Sequence, residues 1–288
     1  MDKKKTGKIL YYIVMIVLVL VFLVSAIMLI DYAVKSWKSR NTYNELQDLV
    51  NNNTPTTAAP TESGNETQGD EPTGETVPVE TTSPLVSVTH PKTGEEVQVL
   101  RQYAQLYMLN PDLVGWISIE GTRVNYPVVQ KKDRTDYYLY RDFYGNYDTH
   151  GCLYVREECD VVAPSDNLTI YGHRMKDGTM MGDIGYYEQK SFWEEHQLIR
   201  FDTLTEQQLY QIVYVFKTTA SAGEGFQYHL FVNAGTESDF TSFTAACRRN
   251  ALYETGLDAY YGDQLITLST CEYSLENGRL VVVAKRIE

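Results

Sequence analysis

The chain is 288 residues long and carries 38 acidic against 25 basic side chains, a formal net charge of −13 at neutral pH. A nucleic-acid partner wants a basic face, and this balance argues against one. The four cysteines, Cys152, Cys159, Cys247 and Cys271, form no CxxC pair and no Cys/His grouping at zinc spacing, so neither a metal nor another cofactor is expected.

Residues 9–30 are an uninterrupted apolar run without a charge, containing only Ser25 and two tyrosines. The run is about long enough to cross a ~30 Å hydrocarbon core as a helix. A cleavable secretory signal has a shorter apolar region of roughly 7–15 residues, so the run reads as an uncleaved membrane anchor. Val24-Ser25-Ala26 resembles a weak cleavage site and leaves a removed signal peptide as the alternative. Lys3, Lys4, Lys5 and Lys8 precede the run, and Lys35, Lys38 and Arg40 follow it, a small excess on the N-terminal side. Residues 1–8 are too short a tail to hold a catalytic domain. The expectation is a single-pass protein of the cell membrane, with a cytoplasmic N-terminus and an extracellular domain.

Residues 31–85 are expected to join anchor and domain. Their first part, 32–50, continues as a short helix. Residues 51–84 are rich in Thr, Pro, Glu, Gly and Asn and almost free of large apolar side chains. Such a segment cannot bury enough surface to offset its ordering entropy, so a disordered stalk is expected. Within residues 86–288, one domain's worth of sequence, short β-branched runs recur at 114–119, 124–129, 153–155, 168–171, 198–201, 210–216, 265–269 and 280–284. Turn signals such as Glu120-Gly121, Ser165-Asp166-Asn167 and Asn277-Gly278 separate them. This spacing predicts a barrel or sandwich, mostly β with peripheral helices. Helices are predicted over 102–109, stopped by Asn110-Pro111, and over 240–249, with Ser238 or Asp239 as N-cap. Two shorter ones are expected at 181–187 and 192–196. No Gly-rich phosphate loop is present. Cys152 and Cys159 could bridge a hairpin if oxidised, but sequence does not fix their distance.

The chemistry concentrates at strand ends. Thr267-Leu268-Ser269-Thr270-Cys271-Glu272-Tyr273-Ser274 puts a cysteine directly after a strand-like run. Leu168-Thr169-Ile170-Tyr171-Gly172-His173 ends a second run in a histidine, and Arg279 opens a third just past Asn277-Gly278. A thiol nucleophile, an acid/base and a fixed cation are what an acyl-transfer enzyme needs. The other histidines, His90, His150, His196 and His229, have no such context and read as structural.

These residues resemble a known family. Asn110-Pro111-Asp112-Leu113-Val114-Gly115-Trp116-Ile117, Val124-Asn125-Tyr126-Pro127-Val128-Val129-Gln130, Tyr137-Tyr138-Leu139, the stretch 167–180 and the two C-terminal runs are similar to class B sortases. These are membrane-anchored cysteine transpeptidases of Gram-positive bacteria. The resemblance implies an eight-stranded β-barrel with an extra N-terminal helix. It implies cleavage of a Pro-x-Thr-type sorting signal on secreted proteins, after Thr and through a thioester, with transfer to a cell-wall amine of peptidoglycan. Carried over residue by residue, Cys271 is the nucleophile and His173 the acid/base. Arg279 either stabilises the oxyanion or positions the substrate backbone. By the same resemblance Ser269, Glu272, Asn125 and Val129 would line the substrate groove, and Phe226, Tyr228 and Phe231 lie in the region matching the specificity loop.

Two departures stand out. Cys152 and Arg156 occupy places where the family often has a small hydroxyl and an acidic residue. His90-Pro91-Lys92-Thr93-Gly94 resembles a Pro-x-Thr-Gly signal, but no apolar span and basic tail follow it, so it reads as a turn-forming linker. The alternatives are a pilin-type enzyme that accepts a lysine, a cysteine hydrolase that uses water, and an idle binding module. The pilin type usually adds a C-terminal span, which does not follow the last run here. An L,D-transpeptidase keeps its histidine and cysteine close in sequence, whereas His173 and Cys271 are far apart.

Overall fold

The computed structural model describes residues 3–54, 84–221 and 223–288, and the stalk expected at 51–84 lies for the most part outside the described residues. The first element, α1 (Lys3–Asn53), is one unbroken helix of 51 residues. At ~1.5 Å per residue it runs about 77 Å, more than twice a ~30 Å hydrocarbon core. Its first part is long and apolar enough to cross a membrane, and none of that stretch is buried against the protein. The helix expected over 32–50 is therefore the continuation of this apolar helix. Its inner face packs on the domain. Tyr43 and Leu46 are buried, Tyr43 meets Tyr126 edge-on at 5.3 Å, and Gln47 Nε2 donates to the Asn125 carbonyl at 2.7 Å. The packed unit thus begins N-terminal of residue 86.

A hairpin that the sequence reading missed comes next: β1 (Leu85–Thr89) and β2 (Glu96–Leu100) pair antiparallel. His90-Pro91-Lys92-Thr93-Gly94 forms its turn. His90 Nδ1 accepts from the Lys92 and Thr93 amides at 3.1 Å, and Gly94 takes φ +76, where a side chain would be strained. The helix expected over 102–109 is a 3-10 turn at Arg101–Tyr103 followed by α2 (Ala104–Leu109).

Eight further strands close a barrel: β3 (Leu113–Ser118), β4 (Asn125–Val129), β5 (Leu153–Val155), β6 (Asn167–Tyr171), β7 (Leu198–Thr203), β8 (Leu209–Thr219), β9 (Leu265–Cys271) and β10 (Gly278–Arg286). Their order is β10-β8-β7-β3-β4-β5-β6-β9. Each lies on one of the predicted runs. Only β4·β5 and β6·β9 are parallel. A parallel pair needs a long crossover, and the β6-to-β9 crossover carries α3 (Lys190–Glu195), β7, β8 and α4 (Glu237–Asn250). The turn expected at 181–187 is a 3-10 helix at Asp183–Glu188.

The apolar runs of β8 and β10 do not alternate with polar residues because both faces are buried. Leu280, Val282 and Ala284 join the main core, while Val281 and Val283 face a second cluster beneath α4. α4 presents Phe240, Phe243, Thr244 and Cys247 to that cluster, the i, i+3, i+4, i+7 stripe of an amphipathic helix. Its N-cap is Thr236, whose side chain accepts the Asp239 amide, rather than Ser238 or Asp239. All four cysteines are free, so Cys152 and Cys159 are not bridged. Burial pushes the Cys152 thiol up to about 12, with the nearby Asp142 charge adding to the rise.

Candidate active site

Barrel topology brings the three expected residues together. β6 and β9 are parallel, so their C-terminal ends share one end of the barrel, and β10 begins there because it runs antiparallel to β9. Cys271 is the last residue of β9 and stands directly opposite Arg279 in the ladder. Paired residues project to one face, here the face shared with Val281 and Val283. His173 lies two residues beyond β6. Gly172 ties that exit to β9: its amide donates to the Ser269 carbonyl at 3.3 Å, and its carbonyl accepts from Thr270 Oγ1 at 2.8 Å. A Cβ at 172 would sit 2.9 Å from Met181 Cγ, which accounts for glycine in the Tyr-Gly-His run.

Cys271, His173 and Arg279 line one groove of about 540 Å³. His173 Nε2 is 2.7 Å from the Leu139 carbonyl. A carbonyl only accepts, so Nε2 carries a proton, and Nδ1 is the nitrogen left for proton exchange. Burial, first, then the charges of His150 and Arg279, hold this imidazole below its ordinary pKa against the opposing Leu139 carbonyl and Asp148. Tyr140 lies beside the imidazole, ring centroids 5.4 Å apart. Arg279 Nη1 donates to the Gly278 carbonyl at 2.9 Å and the Asn277 carbonyl at 3.3 Å. No acidic side chain among the described residues pairs with it, which leaves its other donors for a ligand.

The groove walls are aromatic and polar. Tyr154 and Tyr171 pack at 5.5 Å between centroids, and the Tyr228 hydroxyl and Ser269 Oγ share a buried hydrogen bond of 2.6 Å. Arg156 donates to the His229 carbonyl and pairs with Glu158 at 2.7 Å.

Of the four residues expected to line the groove, Ser269 does. Glu272, Asn125 and Val129 do not, each for a physical reason. Glu272 alternates to the opposite face from Cys271, is buried, and accepts from the Ser274 amide and hydroxyl and from Lys217. Asn125 Oδ1 accepts from Trp116 Nε1 at 2.6 Å beneath α1. Val129 is wholly buried in the core, between Leu113 and Tyr154 in the sheet. Phe226 and Phe231 pack against the cluster under α4; Tyr228 belongs to that cluster and also lines the groove. The Leu139 carbonyl, Tyr154 and Tyr171 were missed. Tyr171 and Leu139 both lie in runs that match the family, but backbone acceptors and strand facing are not written in residue type.

A chain of charges runs behind the groove. Glu272 pairs with Lys217 at 3.1 Å, Lys217 with Glu188 at 2.8 Å, and Glu188 with Arg174 at 3.1 Å. It links the residue after Cys271 to the residue after His173. The Tyr273 hydroxyl adds a bond to the Arg174 carbonyl at 2.8 Å. No group of three or more His, Cys, Asp or Glu side chains that could hold a metal occurs among the described residues.

Known proteins share this sequence family and fold. The sortase domain family matches residues 117–287. Sortase B of Staphylococcus aureus is 32% identical over 189 residues, 65% of this chain and 75% of that protein. Sortase B of Listeria monocytogenes is 29% identical over 192 residues, 66% of this chain and 76% of that protein. A crystal structure of sortase B from B. anthracis in complex with AAEK1 superposes with a TM-score of 0.64 at 27% identity, covering 88% of this chain and 99% of that one. A Staphylococcus aureus sortase B–substrate complex superposes with a TM-score of 0.60 at 31% identity, covering 66% of this chain and 86% of that one. The chain belongs to the sortase family, as a class B sortase, and is a cysteine transpeptidase.

Proposed function

We propose that the enzyme cleaves a Pro-x-Thr-type sorting signal on secreted proteins after its Thr and joins the new acyl end to a cell-wall amine. The reading is carried by one observation: Cys271, His173 and Arg279, far apart in sequence, line the same groove. In this scheme Cys271 Sγ attacks the carbonyl carbon of Thr as its proton passes to His173 Nδ1. Arg279 holds the developing oxyanion or the substrate backbone. Collapse breaks the C–N bond, the departing amine takes the proton from Nδ1, and a thioester remains on Cys271. The acceptor amine then attacks the thioester and gives its proton to Nδ1, from which it returns to the released thiolate.

Ser269 and Tyr228 belong to the substrate wall in this reading. Glu272, Asn125 and Val129 support the fold around it. The domain lies outside the membrane with the N-terminus inside, in keeping with acceptors found on the outer face and with the slight lysine excess before the span.

Intact-mass analysis of the full-length enzyme mixed with a sorting peptide tests the thioester directly. An adduct equal to the acyl fragment, absent in Cys271→Ala, is expected. Turnover without any adduct, undiminished in Cys271→Ala, overturns the scheme.

A further inference from the structure

The loop that carries His173 is held at its far end by the membrane helix. After His173 the chain doubles back: the Met181 amide donates to the His173 carbonyl at 2.9 Å, and Arg174 bridges to Met180. Asp177 sits at the tip. Its Oδ1 accepts the Thr179 amide at 3.1 Å and hydroxyl at 2.6 Å, which fixes the turn. Its Oδ2 accepts from the Ser36 hydroxyl of α1. Arg40 Nη2 lies 3.8 Å from the same oxygen and donates to Ser36 Oγ at 3.0 Å. His150, 1% exposed, is wedged behind this junction with Nδ1 2.9 Å from Asp148 and Nε2 3.5 Å from Asp177.

α1 also grips the second segment that fixes the imidazole. The Tyr43 hydroxyl donates to the Gly151 carbonyl at 2.5 Å. Gly151 takes φ +64 and packs so closely on residues 138–139 that a Cβ would lie 2.5 Å from the Leu139 oxygen. That oxygen is the one His173 Nε2 donates to. Ser36, Arg40, Tyr43 and Gln47 recur at helical spacing, so one face of α1 reaches both the His173 loop and the Leu139 segment. Ser36 and Ser39 are buried in this contact, a placement a simple tether does not need.

We propose that Ser36, Arg40 and Tyr43 of the membrane-proximal half of α1 are positioning residues for acyl transfer, acting through Asp177 and Gly151 on the His173 imidazole. This rests on the reading of His173 as the acid/base. The anchor is then part of the catalytic frame, and a domain cut at residue 86 lacks it.

The test uses the full-length enzyme in detergent micelles with a quenched sorting peptide, reading kcat, KM and Tm. A misplaced group costs up to ~10²-fold in rate, so Ser36→Ala with Arg40→Met is expected to lower kcat about 10-fold with KM within about 3-fold. Tyr43→Phe, which removes one hydroxyl, is expected to lower kcat by about 3–5-fold, the scale of one hydrogen bond. Ser36→Thr, which keeps the donor, restores kcat to within about 2-fold. Leu46→Ala, a core position on the same helix, lowers Tm by several degrees but leaves the kcat of folded enzyme within about 2-fold. Wild-type kcat in both Tyr43→Phe and the double variant overturns the proposal. A double variant that does not fold leaves Tyr43→Phe to decide it, and wild-type kcat there overturns the proposal. An equal kcat loss in Leu46→Ala also overturns it, because the effect is then general destabilisation. His173→Ala runs in parallel. If it stays active, the acid/base reading fails; if it is dead while the α1 variants are normal, only the helix proposal fails.

Discussion

Lys217→Met cuts the charge chain between the residue after Cys271 and the residue after His173. Lys217 Nζ lies 3.1 Å from Glu272 and 2.8 Å from Glu188. The Glu272 side chain is 4% exposed, against 22% for Lys217. Breaking a fully buried pair costs ~3–5 kcal/mol, whereas an exposed pair is worth about 0–1 kcal/mol. Glu272 keeps the Ser274 amide at 2.9 Å and hydroxyl at 2.8 Å in the variant, so the loss falls between these limits. About 1.5–3 kcal/mol is expected, which at ~2–4 °C per kcal/mol lowers Tm by about 3–12 °C. None of the four charged residues lines the groove, so substrate binding is spared. Loss of alignment between thiol and imidazole is expected to lower kcat about 10-fold with KM little changed. Lys217→Arg, which keeps the charge, recovers most of both. Peptide cleavage kinetics and thermal melts of the two variants check this. A fall in Tm with kcat intact refutes the alignment argument, and no change in either refutes the pairing itself.

Other consequences are equally concrete. Cys271→Ala abolishes cleavage and His173→Ala nearly does, while Arg279→Ala lowers kcat/KM by ~10²–10³, the scale of a lost oxyanion donor. The acid limb of kcat/KM in the native enzyme lies below the ~6.5 of free imidazole, because burial disfavours protonated His173. Arg279→Ala moves that limb upward, since the guanidinium helps hold the imidazole down; a pH titration of the residual activity reads the shift. Tyr228→Phe frees Ser269 Oγ and is expected to raise KM by about 3–10-fold with smaller change in kcat, the scale of one buried hydrogen bond. Asp177 sits at about 2: burial alone would raise it, but hydrogen bonds from Ser36 and Thr179 and the His150 contact outweigh that. A depressed carboxylate contributes stability above its unfolded value, so this contribution fades as pH falls from roughly 4 to 2. Acid unfolding of Asp177→Asn should lack that component.

The eight barrel strands were legible as β-branched runs between turn residues, and their closure came through resemblance. The β1–β2 hairpin was not, because its strands are only five residues long and half-exposed and border the Thr/Pro-rich stretch, although Glu96-Val97-Gln98-Val99 alternates as a strand does. That Cys271, His173 and Arg279 would share one groove could be read from residue type at strand ends. The supporting residues could not. Asn125, Val129 and Glu272 sit in motifs that match the family, yet which face each projects to depends on register and on what packs behind it. The contacts of Ser36, Arg40 and Tyr43 join residues more than a hundred positions apart, and no local pattern encodes them.

The central claim, acyl transfer through Cys271 to an amine, is tested most directly by product analysis. Full-length enzyme is incubated with fluorogenic pentapeptides of the x-Pro-x-Thr-Gly and Asn-Pro-x-Thr-x types, with and without an added amine, and products are read by mass spectrometry. The account predicts a cut after Thr that requires Cys271 and, with the amine present, an amide-linked adduct that grows at the expense of the free acid. Cleavage that persists in Cys271→Ala, or that yields only the free acid at every amine concentration, would contradict it.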